Sequence, residues 1–129
     1  MAEKTVIRTE AAPAPFQGAP YSQAIRVGDL VFVSGQLALD PEHAELRGDT
    51  IGDQTEQVMA NLRAILEAAG SGLDRLVKTT VFLANLDDFQ GMNEVYARHV
   101  GDKPPARATF EVSRLPSGAL VEIEAVALA

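Results

Sequence analysis

Apolar positions that recur every three or four residues predict two helices in this chain. The first repeat covers residues 58–69 and predicts a helix with Asp53 as its N-cap and Gly70 just beyond its last turn. The second repeat predicts a helix that has Asp87 as its N-cap and ends before a glycine and a proline pair. Both helices have one apolar side, so each must pack against another element.

Strands are predicted where β-branched and apolar residues cluster between turn-forming residues. Gly28 and Asp29 are placed to turn a hairpin, and the proline-rich residues 11–21 form either a linker or a loop over the body. The order of three strands, helix, strand, helix and two strands predicts the α+β class, with one mainly antiparallel sheet and both helices on one face. The predicted strands cover residues 5–9, 22–27, 30–34, 76–83, 107–112 and 120–127.

The last predicted strand indicates that both faces of the sheet are at least partly covered. One of its faces is wholly apolar, while the other combines Leu120 and Val126 with Glu122 and Glu124. The two helices cover one face, so a second copy of the chain is a natural cover for the other. This pattern suggests a homo-oligomer.

Composition narrows the class of protein. The chain has 129 residues, 47% hydrophobic and 22% charged, so we expect one globular domain over residues 1–129. With no cysteine, it can form no disulfide, thiolate nucleophile or iron–sulfur cluster. Its net charge of −7 argues against nucleic acid as a partner, but it leaves room for a local basic pocket that binds a small anion.

Targeting and metal-binding patterns are absent from the sequence. The N-terminus lacks a signal sequence and no apolar run is long enough to span a bilayer, so we expect a cytoplasmic protein without membrane contact. His43 and His99 have no further ligand at metal spacing, so both are interpreted as surface residues and no metal site is expected.

The two terminal strands carry the charge pattern with the clearest chemical meaning. If they form an antiparallel hairpin, Arg107 lies opposite Glu122 to Glu124 on one face. The plain interpretation is a surface ion pair. The alternative is a site, because a guanidinium grips a carboxylate through two parallel N–H bonds and a nearby glutamate can take a proton from water. Such a site would bind a small carboxylate and hydrolyse a bond beside it.

Three further positions have both a structural and a functional interpretation. Gly35, between Ser34 and Gln36, forms either a turn or a close approach of the backbone to a ligand. The phenol of Tyr21 is either held in place by the rigid proline-rich loop or caps the core. Asn93 lies within a predicted helix and is either solvated or a ligand contact.

Several short segments occur in order along nearly the whole chain. They are residues 19–24, 33–36, 61–62 with 66–70, 77–83, Phe89 with Asn93, 105–112, Leu115-Pro116 and 121–125. Together these segments resemble the RidA or YjgF-type reactive intermediate deaminases. The resemblance implies a chorismate-mutase-like α+β fold and a homotrimer with active sites in the clefts between subunits.

The resemblance also implies an activity. Family members with this arginine hydrolyse 2-imino acids and their enamine tautomers, such as 2-aminoacrylate, 2-iminopropanoate and 2-iminobutanoate, to 2-oxo acids and ammonia. No cofactor is implied, since a protonated imine is already electrophilic and requires only position, charge complementarity and water.

Individual roles carry over from the resemblance residue by residue. It implies that Arg107 binds the substrate carboxylate and that Glu122 orients and activates the attacking water. This chain has threonine at position 109, where some members have cysteine. The hydroxyl of Thr109 retains hydrogen bonding, but any thiol chemistry is lost. Glu124 fits the family segment without an assigned role. The residues implied to line the cleft are Tyr21, Ser34, Gly35, Asn93 and Thr109.

Three other functions stay open at this point. The same cleft could serve a regulatory protein that binds small carboxylates without catalysis. Some family members are described as ribonucleases or translation inhibitors, although the acidic charge counts against that function here. A holdase-type chaperone is neither supported nor excluded by composition.

Overall fold

A six-stranded mixed sheet with two α-helices makes up residues 3–129, which the computed structural model describes. Neighbouring strands are antiparallel except for one parallel pair. The predicted α+β class and the order of elements are confirmed. The elements are β1 (Lys4–Ile7), β2 (Ala24–Val27), β3 (Leu30–Gln36), α1 (Ile51–Ala68), β4 (Leu76–Leu83), α2 (Phe89–Val100), β5 (Ala106–Glu111) and β6 (Val121–Leu128), and the order across the sheet is β1-β2-β3-β6-β4-β5.

Both helices pack on one face of the sheet, as predicted. Along β6 the side chains alternate, with Val121 and Ile123 fully buried in the same core as the apolar side of α1. The buried side chains of α2, such as Met92 and Tyr96, belong to that core too. Burial of these alternating residues supplies the main driving force for the fold.

The N-terminus of α1 differs from the prediction. Thr50, not Asp53, is the N-cap, and its Oγ1 accepts a hydrogen bond of 3.1 Å from the backbone N–H of Asp53. Starting the helix here brings Ile51 into contact with the core, and Asp53 instead lies in the first turn, where its charge suits the helix dipole. At the other end Gly70 has a φ of +80°, the left-handed conformation predicted for a C-terminal glycine.

The start of α2 is also shifted. A 3₁₀ turn over Leu86–Asp88 precedes the helix, and the side chain of Asn85 accepts the backbone N–H of Asp87 at 2.9 Å. Asp87 therefore donates its backbone N–H to the Asn85 side chain, and it is not the N-cap of α2. The asparagine satisfies the backbone one turn before the helix begins, which the apolar repeat alone does not reveal.

The predicted hairpin between the last two strands is wrong. Strand β4 lies between β5 and β6, pairing with β5 in parallel and with β6 antiparallel. The reason is α2, which connects β4 to β5 as a crossover and so returns the chain to the same end of the sheet. Arg107 consequently pairs with Thr79, whereas Glu122 pairs with Phe82.

The face of the sheet away from the helices carries large apolar side chains. Phe32 and Phe110 are 43% and 52% exposed, and Phe32 pairs with Val126 on the central strand β6. Exposed apolar side chains gathered on one sheet face are typical of interaction surfaces.

Among residues 3–129, no helix has the length and apolar character that crossing a membrane would require.

Candidate active site

The site residues singled out from the sequence fall into two groups on opposite faces of the sheet. Arg107 pairs with the fully buried Thr79 and lies over the ring of Tyr96, so it points toward the helices. Glu122 lies between Val121 and Ile123, both fully buried in the core, so it points the other way.

The prediction that Arg107 and Glu122 share one face of one chain is therefore wrong. It assumed that the two strands are neighbours, and the intervening β4 together with the alternation of side chains separates the two charges. The alternative of a surface ion pair between them is wrong for the same reason. In the described part of the chain, the ion pairs all involve Asp40 or Glu56.

On the helix face, aromatic rings surround the cation. The guanidinium carbon of Arg107 lies 5.4 Å from the ring centroid of Phe89 and 4.9 Å from that of Tyr96. The hydroxyl of Tyr96 shares a hydrogen bond of 2.6 Å with Thr79 Oγ1. Burial raises the pKa of Tyr96, although its bond to Thr79 and the positive charge of Arg107 act in the opposite direction.

Two buried polar atoms on this face have no hydrogen-bond partner within residues 3–129. They are Asn93 Oδ1, on α2 between the two aromatic residues, and Thr109 Oγ1, two residues after Arg107 on β5. Buried polar atoms are nearly always bonded, so these two oxygens on the face of Arg107 are open to hydrogen bonds from a ligand or water. Burial of its side-chain oxygen favours the ligand-contact interpretation of Asn93 over the solvated one.

On the opposite face, the carboxylate of Glu122 lies directly over Gly35. A Cβ at position 35 would overlap Glu122 Oε2 and would come within 3.0 Å of Cδ. Gly35 belongs to β3, where the pairing with β6 is irregular between Val33 and Gln36. The glycine therefore permits a close approach, and the side chain that it admits is that of the glutamate.

The side chains of Ser34 and Tyr21 are both fixed by backbone groups near Glu122. Ser34 Oγ donates to the carbonyl of Ser22 at 2.6 Å, and the hydroxyl of Tyr21 accepts the backbone N–H of Phe16 at 2.6 Å. For Tyr21 this favours the interpretation of a phenol held by the proline-rich loop over that of a core cap. Both residues line one cavity together with Glu122.

Sequence reasoning missed Gln23, which fixes the position of this loop. Its buried Nε2 donates to the carbonyls of Ala12 and Pro13, and its Oε1 accepts the N–H of Thr9 at 2.7 Å. An uncharged amide beside a proline-rich segment is the only signal in the sequence. The role of Gln23 follows only from the structure, in which residues 9–13 fold back beside β2 and bring their backbone groups to this amide.

The cavity beside Glu122 has a volume of about 440 Å³, and both Glu122 and Glu124 line it. Burial raises the pKa of Glu122, and the negative charge of Glu124 raises it further. A carboxylate with a raised pKa at the edge of a cavity is suited to accept a proton from water. The lining also includes the apolar residues Phe16, Leu37, Leu39 and Pro116.

The two histidines lie outside both groups. His43 is exposed and contacts Asp40, whereas the side chain of His99 is only 15% exposed and lies 3.0 Å from Glu56 Oε1. His99 is thus partly covered at the surface, where its ring contacts the exposed Glu56 of α1. Residues 3–129 hold no group of three or more His, Asp or Glu side chains that could bind a metal.

Together the fold and the site define an α+β protein with an arginine against two aromatic rings on one face of its sheet and a half-buried glutamate on the other. A family model described as endoribonuclease L-PSP matches residues 9–129. The chain belongs to this family, which is the RidA or YjgF-type family that its motifs resemble.

Curated relatives and a solved structure agree with this assignment. The chain is 52% identical to RutC family protein PH0854 of Pyrococcus horikoshii, covering 96% of this chain and 97% of the relative. It is 42% identical to the mouse protein named 2-iminobutanoate/2-iminopropanoate deaminase, covering 97% and 91%. The crystal structure of RidA from an Antarctic Psychrobacter superposes with a TM-score of 0.92, at 45% identity over 97% of this chain and 99% of the other.

Proposed function

We propose that this protein hydrolyses reactive 2-imino acids and their enamine tautomers to 2-oxo acids and ammonia. The observation that carries the proposal is Arg107, a half-buried cation with no carboxylate partner in the described chain, beside two unbonded polar atoms. A small carboxylate with a polar group next to it would satisfy all three. The name of the mouse relative supports the same reaction class.

The proposed active site is shared between subunits of a homotrimer. Within one chain Arg107 and Glu122 lie on opposite faces, so neither half can carry out the reaction alone. The exposed apolar side chains on the Glu122 face, including Phe32 and Phe110, give a second copy a surface to cover. The edge strand β5 of one subunit then lies beside the Glu122 cavity of its neighbour. The number of subunits rests on the family resemblance.

In the proposed reaction, Arg107 holds the substrate carboxylate through two N–H donors, and the Thr109 hydroxyl donates a third hydrogen bond. Asn93 Oδ1 accepts an N–H of the protonated imine. Glu122 then takes a proton from water as the water oxygen bonds to the imine carbon and the C=N π electrons move to nitrogen. That proton passes to the nitrogen, and Glu122 then takes the hydroxyl proton as the C=O bond forms and the C–N bond breaks. The departing ammonia takes this second proton and leaves as ammonium, which returns Glu122 to its ionised state.

The decisive test is Arg107→Ala in an imine-decay assay. An amino acid oxidase generates 2-iminobutanoate from 2-aminobutyrate, and semicarbazide traps the imine that remains. Two charge-assisted hydrogen bonds are lost, so we expect kcat/KM to fall by about 10²- to 10⁴-fold. Arg63→Ala, which removes an exposed arginine from the outer side of α1, is the matched control and should leave the rate unchanged.

Retention of wild-type turnover by Arg107→Ala would refute the proposal, as would a wild-type protein that does not accelerate imine loss. The family description also names an endoribonuclease, so the same proteins are incubated with RNA. The net charge of −7 favours the small anion over the polyanion. RNA cleavage that survives Arg107→Ala would support the ribonuclease instead.

A further inference from the structure

Arg107 is held by aromatic rings where an arginine is often held by a carboxylate. The distances from its guanidinium carbon to the Phe89 and Tyr96 centroids are 5.4 and 4.9 Å, within the roughly 6 Å range of cation–π attraction. A carboxylate partner would occupy the same N–H donors that a substrate carboxylate needs. The ring faces attract the charge, and no carboxylate of the described chain occupies those donors.

The two rings come from one side of one helix. Phe89 and Tyr96 are seven residues apart on α2, which is about two helical turns. Asn93 lies between them and carries its unbonded Oδ1 on the same side. The helix therefore presents the two rings and the amide oxygen to the strand that bears the arginine.

The ring of Tyr96 is itself anchored to the sheet. Its hydroxyl and Thr79 Oγ1 are 2.6 Å apart, and both residues are buried. Thr79 is also the residue that pairs with Arg107 across β4 and β5. Thr79 thus fixes the ring of Tyr96, on which Arg107 lies, and Thr79, Tyr96 and Arg107 constrain one another.

We infer that Phe89, Tyr96 and Thr79 form an aromatic clamp that positions Arg107 for carboxylate binding. This inference rests on the proposed function for the identity of the carboxylate. The clamp limits the rotamers of a long flexible side chain before the substrate arrives, which lowers the entropy lost on binding. Its three members are positioning residues, since they act through Arg107. They should therefore affect ground-state binding more than the chemical step.

The test compares two replacements of one ring. Phe89→Leu keeps apolar bulk but removes the ring face, whereas Phe89→Tyr keeps the face. The dissociation constant of 2-oxobutanoate is measured by calorimetry on the full chain, with KM and kcat for 2-iminobutanoate. We expect Phe89→Leu to raise the dissociation constant and KM together by about 5- to 30-fold, with kcat changed less than about twofold. Phe89→Tyr should restore most of the affinity.

The hydrogen bond between Tyr96 and Thr79, which anchors the ring, gives a second test. This test does not depend on whether the fold tolerates Phe89→Leu. Thr79→Val and Tyr96→Phe each remove one side of the same hydrogen bond while keeping shape. Each should weaken 2-oxobutanoate binding, and the double variant should be no worse than either single variant. If the affinity losses of the two single variants add fully in the double variant, the inference that this hydrogen bond positions the Tyr96 ring is wrong.

The outcomes separate the clamp from the proposed function. Equal affinity losses in Phe89→Leu and Phe89→Tyr, or a fall in kcat at unchanged KM, would overturn the clamp while leaving imine hydrolysis by the wild type intact. A wild type that binds 2-oxobutanoate but hydrolyses no imine would refute the proposed function. The ring series would still decide whether the clamp exists in that case.

Discussion

Gly35→Ala is the substitution that most directly links the geometry of the site to its rate. The change adds one methyl group to a residue of β3 with an ordinary backbone conformation. That methyl would overlap Glu122 Oε2 and would lie 3.0 Å from Cδ and 3.2 Å from Cγ of the same side chain. The carboxylate must therefore move away from its present position by about 1 Å.

The size of the effect follows from this displacement. Glu122 borders a cavity, so its side chain can rotate instead of straining the backbone, and the free energy of unfolding should fall by only about 1 kcal/mol. Misplacing a catalytic group by about 1 Å typically lowers the rate by about 10²-fold. We therefore expect kcat/KM to drop by about 10²-fold, which corresponds to about 2.7 kcal/mol of lost transition-state stabilisation.

The imine-decay assay measures this drop, and Gly52→Ala is the matched control. A Cβ at Gly52 would meet its nearest neighbours, Val95 Cγ2 and Thr50 Oγ1, at 3.8 and 3.9 Å, which is ordinary contact. That variant should keep full activity and gain up to about 1 kcal/mol of stability, since alanine suits a helix better than glycine. A Gly35→Ala protein within about threefold of the wild type would show that catalysis does not depend on where Glu122 places its carboxylate.

Two further predictions concern pH and stability. In the proposed reaction Glu122 must be ionised to take a proton, and its pKa is raised, so kcat/KM should fall with decreasing pH at a midpoint above that of an ordinary glutamate. Glu124→Gln removes a repelling charge and should move this midpoint downward in a pH–rate profile. Asn61 is buried and donates to the carbonyls of Leu37 and Leu39 at 3.0 and 2.9 Å, so Asn61→Ala should lower the free energy of unfolding by about 2–4 kcal/mol in urea titrations. An unshifted midpoint, or a loss below about 1 kcal/mol, would contradict the respective prediction.

Local patterns predicted the elements well because their causes are local. Strand β4 was predicted with its observed bounds, since β-branched residues between turn formers favour an extended chain over residues 76–83. The core side of α1 followed from its apolar repeat. The N-cap was wrong because Thr50 and Asp53 are both good capping residues, and burial of Ile51 decides between them.

Strand neighbours could not be derived from the same patterns. An antiparallel hairpin and a parallel crossover place the same alternating residues on strands of the same length. The choice between them depends on where α2 packs, which is a contact between residues far apart in sequence. The hairpin prediction therefore placed Arg107 and Glu122 on one face, although the pairs Arg107–Thr79 and Glu122–Phe82 separate them.

By itself the sequence determined the class of the fold, the acidic charge and the absence of thiols, and it indicated the candidate site residues. Only the tertiary structure decided that Arg107 lies against two rings of α2, that Glu122 lies over Gly35, and that these positions belong to opposite faces of one sheet. The physical reason is the alternation of side chains along a strand. It assigns each residue to one of two faces, but which elements meet each face is settled by packing across the whole chain.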